Sequence, residues 1–285
     1  MTFRIFILIS LLVSGCSSGQ RPRLAICAIF KNEAPWLKEW LVYHRDILNV
    51  DHFYLYNNDS TDNYREIVQP FIDSGHVELF DWSSNDPSHC MNGICMDAPW
   101  SAAQLGAYND CLKRRALGNT DWVAMIDIDE FIVPVKGVFS FYAMLNHAAK
   151  HNKGTVCLSW RVFGTSDVQD LQEGDLLIDK LVWRGKDDYP WNHHVKSIHR
   201  PEAIVSCAVH IAEKLAPHFG GKLFSADQVR IHHYWTRTEN ECRKKRELSK
   251  DLRPEFFDEL HQVEDRIISQ YIPLLKRQME KLDRE

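Results

Sequence analysis

The sequence predicts an α/β protein built on a parallel sheet, with helices at the end of the chain. From residue 24 onward, apolar runs of strand length alternate with segments of helical periodicity. Polar residues suited to ligand binding follow three of these apolar runs. Two helical segments, about 239–250 and 254–281, close the chain. Because ligands of parallel sheets bind beyond the carboxyl ends of the strands, we expect a site at that edge.

The first half repeats strand and helix in regular order. The predicted strands are 24–30, 52–56, 76–82 and 122–128, and the predicted helices are about 35–47, 64–72 and 101–117. Pro35 suits a first helical turn, where its missing N–H costs nothing. Gly75 suits the end of the second helix. Ser101 and Gln104 form a capping box that would begin the third helix.

The second half is less regular. Extended segments are predicted at 155–163, 176–183, 195–199, 203–210 and 229–235. The stretch 189–194 is polar, aromatic and turn-prone, which is typical of a loop at a site.

Composition limits the classes of function. The chain has 285 residues, of which 45% are hydrophobic and 26% charged, as in ordinary globular proteins. Its formal net charge of -5 gives no indication of nucleic acid binding. Nine tryptophans make the chain rich in aromatic residues, which either pack in the core or stack on sugars or bases.

The first 20 residues form a separate segment. An apolar run at 5–13 is too short for a transmembrane helix, which needs roughly 20 residues, and it matches a secretory signal. The small residues before Cys16 resemble a bacterial lipoprotein signal, so we expect lipidation at Cys16 and a membrane-anchored protein. The alternative is a short signal-anchor or an uncleaved apolar tail. In an exported protein, Cys90 and Cys95 have the spacing of a local disulfide.

Asp127 and Asp129 are the strongest chemical signal. They end the fourth predicted strand and precede Glu130 and Phe131. Two neighbouring carboxylates repel unless a cation neutralises them, and Mn²⁺ or Mg²⁺ prefers such oxygens together with phosphate or water. The alternative is a solvated acidic turn, because an Asp-x-Asp motif alone is a weak signal.

Two further polar clusters follow the first and second predicted strands. Lys31-Asn32-Glu33 follows the first, and Asn57-Asn58-Asp59-Ser60-Thr61-Asp62 follows the second. Both would lie at the same sheet edge as the Asp pair, where they suit a base and a ribose, with Asp59 accepting the uracil N3–H. The second cluster also has the composition of a turn with a helix N-cap, and both roles are compatible.

The joint order of these motifs resembles glycosyltransferase family 92 and, more widely, the family 2-like enzymes. The matching segments are Lys31-Asn32-Glu33, 39–44, 53–60, Gln104 with 107–112, Asp127-Ile128-Asp129-Glu130-Phe131, 160–164, 196–198, Pro201, His210 and His233-Tyr234. They cover about 24–250. The sequence departs from the family at His232, where Asn is usual.

The resemblance implies a GT-A-type nucleotide-diphosphosugar transferase, with a Rossmann-like mixed sheet flanked by helices and C-terminal helices. It implies a hexosyltransferase that moves galactose from UDP-galactose, with inversion, to a glycan or glycoconjugate acceptor. We expect a single domain over 21–285, with a nucleotide-binding half at about 24–135, an acceptor-side half at about 136–250 and a C-terminal helix at 251–285.

The resemblance also assigns roles to residues. Mn²⁺ or Mg²⁺ would be held by Asp127, Asp129 and His233. The nucleotide sugar would contact Lys31, Asn32, Glu33, Asn58, Asp59, Asp62, Gln104, Asn109 and Lys196. His210 is a further candidate for a diphosphate or acceptor contact.

The catalytic base is not identified by any motif. An inverting transfer needs a group that deprotonates the acceptor hydroxyl. Asp167 is the first candidate and Glu173 the second, because they follow the segment 160–164. Two other functions remain open: a degenerate surface lipoprotein that binds glycans without transferring them, and an Asp-x-Asp phosphatase, in which the pair normally follows the first strand.

Overall fold

The computed structural model describes residues 21–89, 99–224, 228–248 and 256–284. Cys16, Cys90 and Cys95 lie outside these ranges. Within them, no disulfide joins the cysteines at 27, 111, 157, 207 and 242, all of which are buried. No helix in the described ranges combines the length and the apolarity needed to span a bilayer.

Thirteen strands are present in the described part of the chain. They are β1 (Leu24–Phe30), β2 (His52–Asn57), β3 (Val77–Asp81), β4 (Trp122–Met125), β5 (Glu130–Pro134), β6 (Thr155–Val162), β7 (Trp183–Arg184), β8 (Val195–His199), β9 (Ile204–Cys207), β10 (Ala212–Leu215), β11 (Lys222–Phe224), β12 (Val229–His233) and β13 (Val263–Glu264). Nine of them form one sheet, in the order β3-β2-β1-β4-β8-β6-β12-β5, with β11 pairing β6.

Strand direction brings several chain segments to one edge of the sheet. β3, β2, β1 and β4 are parallel neighbours. β8 is antiparallel to both β4 and β6, so β6 runs in the direction of β4, and β12 runs parallel to β6. The carboxyl ends of β1, β2, β4, β6 and β12 therefore meet at one edge. β8 and β5 begin there, because each is antiparallel to its neighbours.

Eight α-helices are present in the described ranges. They are α1 (Ala34–Val42), α2 (Tyr64–Asp73), α3 (Pro99–Asp110), α4 (Val138–Lys150), α5 (Leu177–Lys180), α6 (Glu239–Leu248), α7 (Phe256–Glu259) and α8 (Ile272–Leu282). π-helical turns, Tyr43–Ile47 and Cys111–Arg115, continue α1 and α3. Alternate residues of β1 enter two apolar clusters, one shared with α1, α2, α4 and α8 and the other with α3. The predicted α/β architecture, with a mixed sheet and C-terminal helices, is confirmed.

Two predicted elements are wrong. Part of 176–183, expected to be extended, forms the short helix α5, because the Glu39 carboxylate accepts the N–H groups of Leu177 and Ile178 at 2.9 and 3.1 Å. The predicted helix over 254–281 is interrupted: β13 pairs with β7, and a 3₁₀ turn, Ile267–Tyr271, precedes α8. Both differences come from contacts between residues far apart in sequence.

The predicted capping box is also wrong. α3 already includes Pro99, so Ser101 and Gln104 lie inside the helix. The Gln104 amide instead donates to Asp127 Oδ1 at 3.0 Å. The helix thus carries a side chain that contacts the Asp pair.

Candidate active site

The Asp pair lies in the turn between β4 and β5, at the shared carboxyl edge. Backbone and side chain close this turn. The Asp127 N–H donates to the Glu130 carboxylate at 2.8 Å, and the Glu130 N–H donates to the Asp127 carbonyl at 3.1 Å. Glu130 is fully buried as the first residue of β5. Glu130 therefore holds the turn from the protein interior, whereas Asp127 and Asp129 are only partly buried.

Asp127 is held by groups from two other elements. Lys196, near the start of β8, places its ammonium 2.6 Å from Asp127 Oδ2 and 3.3 Å from Glu130 Oε2. Gln104 and Tyr108 of α3 donate to Oδ1 at 3.0 and 3.4 Å. Both oxygens of Asp127 are thus engaged by protein donors.

The buried Lys196 sets the charge balance of this cluster. Burial alone would lower the pKa of Lys196, but the Asp127 and Glu130 carboxylates raise that pKa well above its usual value. Burial raises the pKa of Glu130 to about 7, although Lys196 acts to lower it. The ammonium is therefore charged, and it compensates the buried Glu130 and the partly exposed Asp127.

Asp129 faces the end of β12. The His233 Nε2 atom lies 3.5 Å from Asp129 Oδ1. The Nδ1 atom of the same ring is buried and has no hydrogen-bond partner in the described part of the chain. The indole of Trp160 packs 4.3 Å from the His233 ring, centroid to centroid.

A pocket of about 580 Å³ opens over the Asp pair. Its described lining is Ile29, Phe30, Lys31, Glu33, Trp100, Ser101, Gln104, Asp127, Ile128, Asp129, Trp160, Val209, His210, His233 and Trp235. The pocket is therefore lined by residues that follow β1, by the Asp pair, by residues of α3 and β6, and by residues at the end of β12.

The residues after β1 divide between the pocket and the loop structure. Lys31 and Glu33 line the pocket, and Glu33 forms an ion pair with the buried Arg237. Asn32 instead accepts the Thr61 N–H at 2.7 Å and so joins the loops after β1 and β2.

The residues after β2 mostly hold the loops together. Asn58 is buried and donates to the Trp82 carbonyl at 2.7 Å. Asp62 accepts the N–H of Ala34, the first residue of α1, at 2.8 Å. Asp59 is exposed, with its backbone in the left-handed region, and accepts the Ser83 hydroxyl at 2.7 Å. None of the three lines the described wall of the pocket.

The other predicted site residues lie elsewhere. Asn109 of α3 donates to the Leu105 carbonyl at 2.8 Å. Asp167 lines a separate pocket of about 400 Å³, where its carboxylate lies 3.7 Å from His261. Glu173 is exposed. The structure does not bring Asp167 or Glu173 to the described wall of the Asp pocket.

Several pocket residues were not predicted from the sequence as site residues. Trp100 and Trp235 line the pocket, and Tyr108 contacts Asp127. Tyr108 lies one helical turn after Gln104, and Trp235 directly follows the His233-Tyr234 motif. Tyr108 thus lies within the matching segment 107–112 and Trp235 directly after a recognised motif, whereas Trp100 carries no signal in the sequence.

Comparison with known families agrees with this geometry. The profile of glycosyltransferase family 92 matches residues 23–270, nearly the whole described chain. The chain belongs to glycosyltransferase family 92. It therefore shares a family with a protein of Ricinus communis, to which it is 27% identical over 221 residues, or 76% of this chain and 36% of the relative. A second family 92 protein, from Oryza sativa subsp. japonica, is 24% identical over 74% of this chain and 33% of its own length. The chain thus spans about a third of the length of these curated relatives.

Solved structures give more distant likenesses. TarS 1–349 of S. aureus, in complex with UDP-GlcNAc, has a TM-score of 0.43 at 11% identity, over 88% of this chain and 71% of TarS. The mannosyltransferase PcManGT of Pyrobaculum calidifontis, in complex with GDP-Man and Mn²⁺, has a TM-score of 0.40 at 13% identity, over 92% of this chain and 74% of its own.

Proposed function

We propose that this family 92 chain transfers a hexose, galactose first among the candidates, from a UDP-sugar to a glycan or glycoconjugate, with inversion and with a divalent cation. The observation that carries the proposal is that Asp127, Asp129 and His233 line one pocket at the carboxyl edge of the sheet. The pocket volume of about 580 Å³ suits a small-molecule ligand.

The donor would lie at the β1 end of the pocket. Lys31 is the lysine of the described pocket wall, and it can contact the diphosphate. The loop held by Asn32 and Asp62 gives that end a defined shape, because its hydrogen bonds join the ends of β1 and β2. Asp59 is exposed beside this loop and would meet the base.

The residues fit a divalent cation at Asp129 and His233 better than at Asp127. His233 turns its Nε2 atom toward Asp129 Oδ1, at 3.5 Å, whereas both Asp127 oxygens already accept protein donors. No group of three or more His, Cys, Asp or Glu residues suited to a metal occurs in the described ranges. The protein would thus supply two ligands, and Mn²⁺ or Mg²⁺ usually completes its shell with phosphate and water. Such an ion, when bound, offsets charge on the leaving diphosphate.

Among the pocket residues, His210 is best suited to accept the acceptor proton. Its Nδ1 atom lies 3.0 Å from the Val195 carbonyl oxygen and so donates to it, which leaves Nε2 as the proton acceptor. Burial, aided by the charge of Lys196, lowers the pKa of His210, so the ring is neutral at neutral pH. The acceptor oxygen would attack the anomeric carbon, the bond to the diphosphate would break, and the proton would pass to Nε2. This placement favours His210 over Asp167 and Glu173.

A donor screen tests the proposal. UDP release would be measured with UDP-galactose, UDP-glucose and UDP-GlcNAc, with Mn²⁺ and with chelator. We expect UDP to be released from one UDP-hexose in the presence of Mn²⁺, and we expect no release in the presence of chelator. Replacing His210 with Ala should lower turnover by roughly 100-fold, whereas the matched change Asp167→Ala, in the separate pocket, should leave it within twofold of the wild type. Release that is insensitive to chelator would contradict the metal-dependent proposal.

A further inference from the structure

An ion pair joins two chain segments that line the pocket over the Asp pair. Arg237, in the turn after β12, forms this ion pair with Glu33, the residue that precedes α1. Glu33 and Lys31 line the pocket from the loop after β1, and Trp235 lines it from the turn after β12. Arg237 and Glu33 are 204 residues apart in the chain. The ion pair therefore connects the loop after β1 to the turn after β12.

The turn after β12 is itself fixed to the Asp pair by the backbone. The N–H of Tyr234 donates to the Asp129 carbonyl at 2.8 Å, and the N–H of Arg237 donates to the Tyr234 carbonyl at 3.0 Å. The Thr236 hydroxyl donates to the carbonyl of Phe163, directly after β6, at 3.3 Å. The backbone of Arg237 is therefore held at a defined position relative to Asp129.

Arg237 combines three features that are unfavourable for stability. The residue is 4% exposed, and burial of a charge is costly unless its partners compensate it. Its backbone φ of 54° lies in the left-handed region, which a residue with a Cβ rarely adopts. Its Nε atom is buried and has no hydrogen-bond partner in the described part of the chain. Local features of this kind concentrate at functional sites.

The guanidinium of Arg237 is held by two residues at the start of α1. One is Glu33, through the ion pair, and the other is Trp36, whose ring centroid lies 5.0 Å from the Arg237 Cζ atom. The Trp36 N–H donates to the Glu33 carbonyl at 2.9 Å, so the two partners belong to one helical turn. An arginine can bind a carboxylate and stack on an aromatic ring at once, whereas a lysine is a point charge.

We propose that Arg237 is a positioning residue for the nucleotide-sugar donor, and that it sets the distance between Lys31 and the Asp129–His233 pair. The inference rests on the proposed function and adds a residue outside the described pocket wall. Lys31 and the cation would contact the same diphosphate, so their separation must match its length. Because Glu33 lies two residues after Lys31, a fixed Glu33 also fixes the backbone that carries Lys31.

A double-mutant cycle in UDP affinity tests this role. UDP binding with Mn²⁺ present would be measured by calorimetry for the full chain as wild type, Arg237→Lys, Lys31→Ala and the double variant. Arg237→Lys keeps a positive charge beside Glu33, and it should weaken UDP affinity by roughly tenfold, the scale of one charged hydrogen bond. In the Lys31→Ala background the same change should cost less than about threefold, because Arg237 acts through Lys31.

Turnover of the UDP-hexose gives a second measurement. In Arg237→Lys, the donor KM should rise by roughly tenfold while kcat changes by less than about threefold, because the lost interaction positions the bound donor. A general loss of folded protein would instead lower the apparent kcat and leave KM unchanged.

Two further variants separate positioning from stability. Arg184→Lys is the matched control, because Arg184 is also buried and forms an ion pair with Asp265, and neither residue lines the described pocket wall. It should lower the melting temperature, while UDP affinity stays within twofold of the wild type. Trp36→Leu removes the ring beside the guanidinium without changing any charge, so it should weaken UDP affinity by roughly threefold. It provides the test if Arg237→Lys does not fold.

The outcomes distinguish this inference from the proposed function. A folded Arg237→Lys or Trp36→Leu protein with the UDP affinity of the wild type would overturn the inference alone. A tenfold loss that persists in the Lys31→Ala background, or that appears equally in Arg184→Lys, would also overturn it. Wild-type protein that binds no UDP in the presence of Mn²⁺ would contradict the proposed function together with the inference.

Discussion

Lys196 provides the sharpest test of the charge balance at the Asp pair. The change Lys196→Met keeps most of the buried stem and removes the ammonium. In the wild type, that ammonium lies 2.6 Å from Asp127 and 3.3 Å from Glu130. Lys196 and Glu130 are both fully buried. The variant therefore leaves two close carboxylates, one of them buried, without their compensating charge.

The expected loss follows from these distances. At an effective dielectric constant of about 20, unit charges at 2.6 and 3.3 Å attract by about 6 and about 5 kcal/mol. Removal of the buried ammonium relieves its own desolvation cost, which offsets part of this attraction. Broken buried pairs typically cost about 3–5 kcal/mol, and we expect a loss in that range from the free energy of unfolding at pH 8.

The loss should depend on pH. The pKa of Glu130 is already raised to about 7, chiefly by burial, and Lys196 acts to lower it. Without Lys196 this pKa rises further, so the folded variant binds a proton that the unfolded chain releases at lower pH. A raised folded-state pKa means that stability falls as pH increases. The deficit of the variant should therefore be smaller at pH 6 than at pH 8.

Urea unfolding of a double-mutant cycle measures this effect. The proteins would be the wild type, Lys196→Met, Glu130→Gln and the double variant, each at pH 6 and pH 8. Glu130→Gln should recover part of the loss in the Lys196→Met background, because it removes the uncompensated buried charge. A Lys196→Met protein within about 0.5 kcal/mol of the wild type at pH 8 would refute the reasoning, since that is the scale of a neutral surface change.

Three further predictions concern other parts of the molecule. Asp59→Ala should weaken UDP affinity in a calorimetric titration. The melting temperature should stay close to that of the wild type, because Asp59 is exposed and accepts a hydrogen bond from the Ser83 hydroxyl. Unchanged UDP affinity would count against the role of Asp59 at the base. Burial raises the pKa of Glu39 to about 7 from 4.5, so the wild type should lose stability relative to Glu39→Gln as pH rises from 5 to 8, and parallel urea-unfolding curves would contradict this. In Gly106→Ala, the new Cβ would lie 1.8 Å from the His89 carbonyl oxygen, so the free energy of unfolding should fall by roughly 1–3 kcal/mol. A melting temperature equal to or above that of the wild type would show that the backbone at His89 moves away from α3 without cost.

The sequence predicts the elements around the Asp pair because their signals are local. β1 and β2 read directly as apolar runs, and the carboxylates that follow β4 are next to it in the chain. The contacts that define the site are not local. Lys196 contacts Asp127 from 69 residues away in the sequence, and the hydrophobic periodicity of the sequence does not predict this contact. Lys196 was accordingly expected at the nucleotide sugar, whereas its ammonium contacts two carboxylates.

The same reason explains the errors in the second half. α5 exists where an extended segment was expected, because Glu39 caps it from a distance of 138 and 139 residues. The pairing of β13 with β7 likewise interrupts the predicted C-terminal helix. Asp167 was favoured as a base by its position after a motif, but side-chain direction and loop path, which the sequence does not encode locally, place it in another pocket.

The central claim is that Asp129 supports a divalent cation at the sugar diphosphate. The most direct measurement is the turnover of a UDP-hexose by wild type, Asp129→Asn and the control Asp167→Asn, each titrated with Mn²⁺ after removal of metal. Asn keeps the shape of Asp and removes one charge. We predict that Asp129→Asn costs at least roughly 100-fold in turnover, the scale of several kcal/mol of lost charge stabilisation, and that it needs more Mn²⁺ for half-maximal rate. Asp167→Asn should behave as the wild type. An Asp129→Asn protein with the turnover and the Mn²⁺ dependence of the wild type would contradict the account.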